Sequence, residues 1–322
     1  MIKSNYINLM NEYGRDNLPF LFVINYDNSE GIVLKLDEIQ GTEILFSIDG
    51  DSNYSSDYEI NQVLINKYPE EYEVYLEKFN KVLRELKYGN SYLTNLTCQT
   101  KISTEATLLD IFLASKAKYK LYFKNRYICF SPECFVNIDN GIISTYPMKG
   151  TISTNVHNAL NVLMDDEKER AEHNTIVDLL RNDLSIVAEN VKVTNFRYPS
   201  YIKTKDYELI QLSSEITGEL SEDYREHIGD IFSQLLPAGS VTGAPKKKTL
   251  EIIKEVEDYN RNFYTGVFGI YKDGIIKSAV AIRFIESHNE ELYFKSGGGI
   301  TIHSNAQSEY QEMIDKIYVP IA

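Results

Sequence analysis

Two dipeptides, Asn140-Gly141 and Asp273-Gly274, constrain the fold of this 322-residue chain more than any other feature. Each lies within an apolar, strand-like segment, residues 135–146 and 270–284 respectively. Asn-Gly and Asp-Gly favour the tight turns whose twist matches that of two antiparallel strands. Both segments are therefore predicted to be β-hairpins, and a chain built on hairpins is expected to form antiparallel sheets.

The spacing of apolar residues predicts the other elements. Strands are expected at the short apolar or alternating runs 19–26, 31–36, 43–48 and 91–102. Helices are expected where apolar residues recur every three to four positions, at 72–89, 166–181, 224–235, 246–257 and 305–318. Hairpins outnumber strand-helix-strand crossovers, so we predict an α+β fold with large antiparallel β-sheets packed as a sandwich and helices on the outside.

Charge and cysteine content exclude some classes of function. The formal net charge is −14, so we expect no nucleic-acid partner and no membrane partner, since both require a basic face. The three cysteines lack the C-x-x-C spacing of zinc or redox sites and are expected to be reduced thiols. The N-terminal residues have no apolar run suited to a signal peptide, so a cytoplasmic location is expected.

Two predicted helices carry pairs of glutamates one turn apart. Glu169 and Glu172 lie on one helix, and Glu309 and Glu312 lie on another. Residues at this spacing share one face of a helix. Four carboxylates on two helices suit Mg²⁺, a hard cation that takes oxygen ligands. Solvated helix faces carry the same pattern, so spacing alone leaves both interpretations open.

Two glycine-bearing segments suggest close approach of a ligand or of another backbone. Residues 239–246, GSVTGAPK, lack the spacing of a phosphate-binding loop, but they precede a helix N-terminus that could accept an anion. Gly297, Gly298 and Gly299 follow a predicted strand. Glycines there mark either a site of close approach or a β-bulge, and local sequence does not separate the two.

Taken in order, eight motifs resemble those of the chorismate-utilising enzymes. The resemblance runs from about Gly89 to Lys316 and is carried by SPECF, YPMKGT, KERAEHNTIVDLLRNDLS, LLPAGSVTGAPKKKTLEII, FYTGVFGIY, AIR, SGGGIT and SEYQEMIDK. It implies the fold of anthranilate synthase component I. It also implies a single chorismate-binding domain over 1–322, with a short β-rich part at 1–70 and the catalytic region at 71–322.

Lys149, in YPMKGT, indicates the branch of the family. Anthranilate synthases resemble one another in having alanine at this position, whereas aminodeoxychorismate synthases have lysine. Isochorismate-type enzymes place a catalytic lysine where this chain has Leu93. The resemblance therefore implies Mg²⁺-dependent amination of chorismate at C4 to 4-amino-4-deoxychorismate, the precursor of p-aminobenzoate and folate, through a covalent lysine adduct.

The same resemblance implies roles for individual residues. Lys149 would be the nucleophile and Glu133 the general acid for the departing hydroxyl. Glu172 and Glu312 would ligate Mg²⁺, with Glu169 and Glu309 reaching it through water. The residues that would bind chorismate are Gly150, Thr151, Ser240, Tyr264, Arg283, Gly297, Gly298, Gly299 and Lys316. Gln211 departs from the pattern, because the family often has histidine there.

The co-substrate would be ammonia. The chain has no glutaminase signature, so the expected source of ammonia is a separate glutamine amidotransferase subunit, component II. Two alternatives remain open at this stage. One is anthranilate synthase component I or another chorismate-utilising activity, and the other is a non-catalytic scaffold that partners an amidotransferase.

Overall fold

The computed structural model describes residues 1–39, 43–55, 63–203 and 208–321. Within these ranges the α-helices are α1 (Lys3–Arg15), α2 (Tyr72–Lys87), α3 (Leu108–Ala114), α4 (Ala159–Asp165), α5 (Glu167–Leu184), α6 (Ile228–Leu235), α7 (Lys246–Val256) and α8 (Ala306–Asp315). Short 3₁₀ turns at Tyr224–His227 and Gly239–Val241 flank α6.

The described strands form two antiparallel sheets. In chain order they are β1 (Phe20–Ile24), β2 (Gly31–Lys35), β3 (Ile44–Ile48), β4 (Asp51–Ser52), β5 (Asn66–Tyr68), β6 (Leu93–Ser103), β7 (Tyr119–Phe123), β8 (Tyr127–Ser131), β9 (Cys134–Asp139), β10 (Ile142–Thr145), β11 (Met148–Ser153), β12 (Glu189–Lys203), β13 (Glu208–Glu219), β14 (Gly243–Ala244), β15 (Val267–Lys272), β16 (Ile275–Val280), β17 (Phe284–His288) and β18 (Glu291–Ile300). The first sheet has the order β11-β13-β10-β9-β16-β15-β1-β2, with β12 beside β13. The second has the order β14-β6-β18-β17-β8-β7-β3-β4, with β5 beside β6. The predicted α+β class with large antiparallel sheets is confirmed.

The two sheets bury their inner faces against each other. Leu21 and Phe268 from the first sheet lie in one apolar cluster with Phe46, Leu121 and Phe284 from the second. The outer faces are covered by helices: α1, α5 and α6 pack on the first sheet, and α2, α7 and α8 pack on the second. The apolar clusters thus lie between the two sheets and between each sheet and its helices. Because burial of apolar area is the main driving force for folding, these clusters fix how the sheets are placed.

Both predicted hairpins are present. Asn140 and Gly141 have φ of 49° and 78°, and Asp273 and Gly274 have φ of 53° and 81°, the left-handed values that these tight turns require. The second hairpin is shorter than predicted and ends at Val280. Residues 281–283 then carry the chain from the first sheet into the second.

A second crossing between the sheets lies beside the first. Pro132 and Glu133 connect β8 of the second sheet to β9 of the first. The two crossings are hydrogen-bonded to each other: the Val280 amide donates to the Glu133 carbonyl at 3.2 Å, and the Phe130 amide donates to the Arg283 carbonyl at 3.2 Å. Glu133 and Arg283, which are 150 positions apart in sequence, are therefore held side by side.

The predicted helices are present with shifted ends, and three described helices, α1, α3 and α4, were not predicted. The segment 224–235 begins as a 3₁₀ turn and becomes α-helical at Ile228. Helix α1 was not predicted, although Tyr6, Met10 and Gly14 are buried at i, i+4 and i+8. A Cβ on Gly14 would lie 2.2 Å from the Arg225 carbonyl oxygen. The N-terminal part thus contains a packed helix as well as strands.

The glycines of β18 are required by close packing. Strand β18 pairs with β6 from Leu292 to Ile300 with no shift of register, so the alternative of a β-bulge is wrong. A Cβ on Gly297 would lie 2.3 Å from the Leu96 carbonyl oxygen, and one on Gly299 would lie 2.9 Å from the Leu93 Cδ1. Side chains at these positions would clash with β6.

Among the described residues, no helix is both long and apolar enough to cross a membrane.

Candidate active site

A cavity of about 800 Å³ opens beside the two crossings between the sheets. Strands, helices and loops that are far apart in sequence contribute to its wall. Of the residues predicted to form a site, those that line the cavity are Glu133, Lys149, Glu172, Ser240, Tyr264, Arg283, Gly297, Gly298, Gly299 and Lys316. The fold therefore brings most of the predicted residues to one place.

The remaining predicted residues lie next to this wall or outside it. Gly150, in β11, has φ of +82°, and a Cβ there would lie 3.2 Å from the Glu169 Oε2. A Cβ on Gly298 would lie 3.3 Å from the Glu309 Oε2 and 3.8 Å from the Glu312 Oε1. These glycines let the backbone approach the carboxylates. Thr151 is exposed and is not among the described residues that line the cavity.

Lys149 projects from β11 towards helix α5. Its Nζ lies 2.8 Å from the Glu172 Oε2, and its side chain is 40% exposed. Burial lowers the pKa of Lys149, but the hydrogen bond and negative charge of Glu172, with Glu169 and Glu312 beyond it, outweigh burial and hold the pKa above its ordinary value. A nucleophilic lysine must lose its proton, so this arrangement favours the ammonium form as long as the surrounding negative charge is not offset.

Four glutamates on two helices interact electrostatically with the Lys149 amine, and one of them, Glu172, contacts it. Burial raises the pKa of Glu169 and of Glu309, while for Glu312 the charge of Lys316 outweighs burial and lowers the pKa. The Glu169 Oε2 is buried with no hydrogen-bond partner among the described residues. Such an oxygen is costly unless it gains a proton or a cation.

This donor set fits Mg²⁺ in its chemistry. Carboxylate oxygens are the ligands that this cation prefers, and one of them lacks a partner. In the described part of the chain, however, no group of three or more His, Cys, Asp or Glu side chains stands close enough to hold a metal ion as it is. The carboxylates near Lys149 supply negative charge and oxygen donors, but they are not arranged as a complete set of metal ligands.

Glu133 is a buried acid with one strong partner. The Ser240 hydroxyl donates to the Glu133 Oε1 at 2.5 Å. Burial raises the pKa of Glu133, and the Ser240 hydrogen bond and the charge of Lys316 oppose that rise only in part. A raised pKa keeps more of the acid protonated near neutral pH, as a general acid requires. Ser240, which was predicted to bind substrate, lines the cavity and donates this hydrogen bond to Glu133.

Two cations of the cavity wall are held by backbone atoms. Arg283 has a positive φ of 54° at the crossing between the sheets, and its guanidinium donates to the Lys316 carbonyl at 2.9 Å. The Lys316 Nζ donates to the Gly297 carbonyl at 2.8 Å and pairs with the Glu312 Oε1 at 2.7 Å. Fixed cations in a cleft suit a substrate that carries carboxylates.

Two further lysines of the cavity wall, Lys168 and Lys295, were not predicted. The Lys168 Nζ lies 3.8 Å from the Glu172 Oε1, and its i, i+4 spacing from Glu172 could have revealed it. Lys295 is buried beside Glu286 at 2.5 Å, and burial lowers its pKa. Because Lys295, Gly297 and Gly299 alternate along β18, they share one face of the strand. Although the chain is acidic overall, cations thus outnumber carboxylates among the described lining residues.

The chain matches the sequence pattern of the chorismate binding enzymes over residues 32–322. It is 47% identical to a Haemophilus influenzae protein described as an uncharacterized PabA-like protein, and the match covers 99% of this chain and 97% of that protein. It is 34% identical to aminodeoxychorismate synthase component 1 of Salmonella typhimurium over 76% of this chain. That match spans 56% of the Salmonella protein.

Solved structures show the same fold. The crystal structure of anthranilate synthase component I from Streptococcus pneumoniae is similar with a TM-score of 0.68 and 28% identity. The match covers 81% of this chain and 60% of that one. The predicted likeness of the fold to anthranilate synthase component I is confirmed.

Proposed function

We propose that this chain, which belongs to the family of chorismate binding enzymes, aminates chorismate at C4 to give 4-amino-4-deoxychorismate. The observation that carries the proposal is the position of Lys149. Its amine lies in the same cavity as the buried acid Glu133, 2.8 Å from a carboxylate of the glutamate cluster. A nucleophile and a general acid that face one cavity can act on two positions of one ring.

Chorismate would be held by the fixed cations and donors of the wall. The Arg283 guanidinium suits the enolpyruvyl carboxylate, and Lys316 lies where it can face the ring carboxylate. Tyr264 is buried in the wall and adds a hydroxyl. Gly297 and Gly299, packed against β6, let the ring approach the backbone.

The reaction would proceed in two substitutions. The lone pair of neutral Lys149 forms a bond to C2, the conjugated ring double bonds shift, and the C4–O bond breaks. Glu133 gives its proton to the departing hydroxyl, which leaves as water. The lone pair of ammonia then forms a bond to C4, the double bonds shift back, and the C2–N bond breaks. Its electron pair returns to the Lys149 nitrogen, while Glu133 accepts the surplus proton of the incoming nitrogen.

Mg²⁺ held by Glu172 and Glu312, with Glu169 and Glu309 in support, would bind the ring carboxylate, withdraw charge from the ring and offset the negative charge that raises the pKa of Lys149. Ser240 would keep the Glu133 carboxyl aimed at C4. The ammonia would come from solution or from a separate glutamine amidotransferase subunit, and the cellular role would be the supply of p-aminobenzoate for folate.

A second candidate is the anthranilate synthase reaction, favoured by the structural likeness to that enzyme from Streptococcus pneumoniae. The two activities differ in one product. Anthranilate formation releases the enolpyruvyl group as pyruvate, whereas amination at C4 alone retains it. The lysine at position 149 supports the first activity, since anthranilate synthases resemble one another in having alanine there.

The test is product analysis with purified protein, chorismate, ammonium chloride and Mg²⁺. We expect a 4-amino product that keeps the enolpyruvyl group, detected by mass spectrometry, and no release of pyruvate in a coupled assay. Anthranilate together with an equal amount of pyruvate would contradict the proposal and establish the second candidate. An isomer of chorismate with no nitrogen would contradict both.

A further inference from the structure

A second cavity, of about 560 Å³, adjoins the first one. Cys134, Tyr146, Met148 and Arg283 line both cavities, so these four side chains form the partition between them. The outer part of the second cavity reaches the surface, because two residues of its wall, Ile202 and Tyr318, are 40% and 49% exposed. It thus connects solvent to the back of the partition.

The lining of this second cavity is mostly apolar and carries little charge. Its described charged residues are Arg283, in the partition, and Asp49 and Lys118, which pair with each other at 3.2 Å. The Tyr119 hydroxyl is buried beside the Cys134 thiol. Such a wall offers hydrogen bonds to a small neutral molecule and no strong attraction to an anion such as chorismate.

Arg283 closes one side of the partition, and two contacts fix its side chain. The Arg283 guanidinium stacks over the Tyr318 ring at 4.4 Å and donates to the Lys316 carbonyl at 2.9 Å. A guanidinium that is held by two contacts keeps its position without contacts to substrate. The Arg283 side of the boundary between the cavities is therefore already in position.

The second cavity lies directly behind the residue that acts at C4. Pro132 and Cys134 line it, while Glu133, between them, faces the first cavity. Neither Lys149 nor any of the four glutamates proposed to hold Mg²⁺ is among the described residues that line the second cavity. A molecule that crosses the partition here would reach the ring beside Glu133, and it would not have to pass the carboxylate cluster.

We propose that the second cavity is the port through which ammonia reaches C4 of chorismate. The inference rests on the proposed function, because that reaction needs a second, neutral substrate after the ring has filled the first cavity. Ammonia enters uncharged, its lone pair forms the C4–N bond, and the surplus proton passes to the nearby Glu133 carboxylate as the C2–N bond to Lys149 breaks. Both free ammonia and ammonia released by an amidotransferase have this chemistry.

The port is tested by narrowing its outer part from two sides. Ala117→Trp and Ile202→Trp each add bulk at a residue that lines only the second cavity. The controls are Lys116→Trp and Tyr201→Trp, one position earlier, at exposed residues outside the described lining. Thermal melting of all four variants establishes that they are folded, and the two independent sites keep the test valid if one variant does not fold.

With ammonium chloride as the nitrogen source, we expect both narrowing variants to lower kcat/KM for ammonia at least about fivefold and to leave KM for chorismate within about twofold of the wild type. The controls should behave as the wild type. Unchanged kcat/KM for ammonia in both folded variants would overturn the port, and so would a parallel rise in KM for chorismate.

A second set of assays separates the two sources of ammonia. Glutamine with a purified amidotransferase subunit that activates the chain replaces ammonium chloride. An equal loss with both sources supports a shared port. A loss with glutamine alone would assign this face to docking of the partner and overturn the port. If the wild type makes the 4-amino product while the narrowing variants are unaffected, only the port fails; if the wild type makes none, the proposed function fails.

Discussion

Lys149→Ala is expected to lower the rate of chorismate amination at least about 10³-fold, because it removes the atom that bonds to C2. The fold should persist. Lys149 and Glu172 form a partly exposed ion pair, and such pairs contribute about 0–1 kcal/mol. The checks are steady-state kinetics at saturating ammonium and Mg²⁺, and thermal melting of the same preparation.

Lys168→Ala is the matched control for this loss. Lys168 also lines the cavity and faces Glu172 at 3.8 Å, but its side chain is 73% exposed and no bond to the ring is assigned to it. We expect Lys168→Ala to change the rate by less than about tenfold, since screened charges contribute little. Turnover of Lys149→Ala close to that of Lys168→Ala would show that Lys149 acts only as a nearby charge.

Glu312→Gln is expected to raise the Mg²⁺ concentration for half-maximal activity at least about tenfold, since even outer-shell partners of a metal commonly change affinity 10–100-fold. The substitution keeps the size of the side chain and removes its negative charge. Mg²⁺ binding measured by calorimetry gives a readout that does not depend on turnover. The melting temperature should move by less than about 4 °C, because the pair with Lys316 is partly exposed.

The control for Glu312→Gln is Glu251→Gln on α7. Glu251 also pairs with a lysine one helical turn away, Lys248 at 2.9 Å, and is 50% exposed. The Glu251→Gln variant loses a similar ion pair and should leave Mg²⁺ binding unchanged. Equal Mg²⁺ affinity in Glu312→Gln and the wild type would remove Glu312 from the metal site, whatever the effect on stability.

Local sequence predicts the features that depend on local geometry. The turns at Asn140-Gly141 and Asp273-Gly274 follow from the positive φ that glycine and asparagine tolerate. Helix α1 was missed although Tyr6, Met10 and Gly14 carry the spacing of a buried face. Its polar composition hid the pattern, and packing on the first sheet, on α6 and on the 3₁₀ turn that precedes α6 stabilises it.

Features that depend on distant partners could not be read from local sequence. Glu133 looks like a surface carboxylate until residues 281–283 cross beside it. The glycines of β18 suit either a bulge or close packing until β6, some 200 positions earlier, is placed against them. The order of eight motifs predicted which residues meet. It did not predict that Ser240 donates to Glu133 or that Lys295 lines the wall.

The acidic surroundings of Lys149 serve metal binding but oppose the loss of its proton. The carboxylates that suit Mg²⁺ are the same groups that raise the pKa of the proposed nucleophile. A divalent cation among them would relieve this effect, because a nearby positive charge favours the neutral amine. The nucleophile and the metal are thus expected to act together, and Lys149→Ala and Glu312→Gln should not be additive in rate.

The central claim is that Lys149 bonds to the ring, and mass spectrometry of peptides from the quenched, digested protein tests it most directly. Wild-type protein is mixed with chorismate and Mg²⁺ in buffer free of ammonia, then quenched and digested. We predict a mass gain equal to chorismate less one water, located on the peptide that contains Lys149, which disappears when ammonium is added before the quench. No adduct on any peptide, in a preparation that aminates chorismate, would contradict the account.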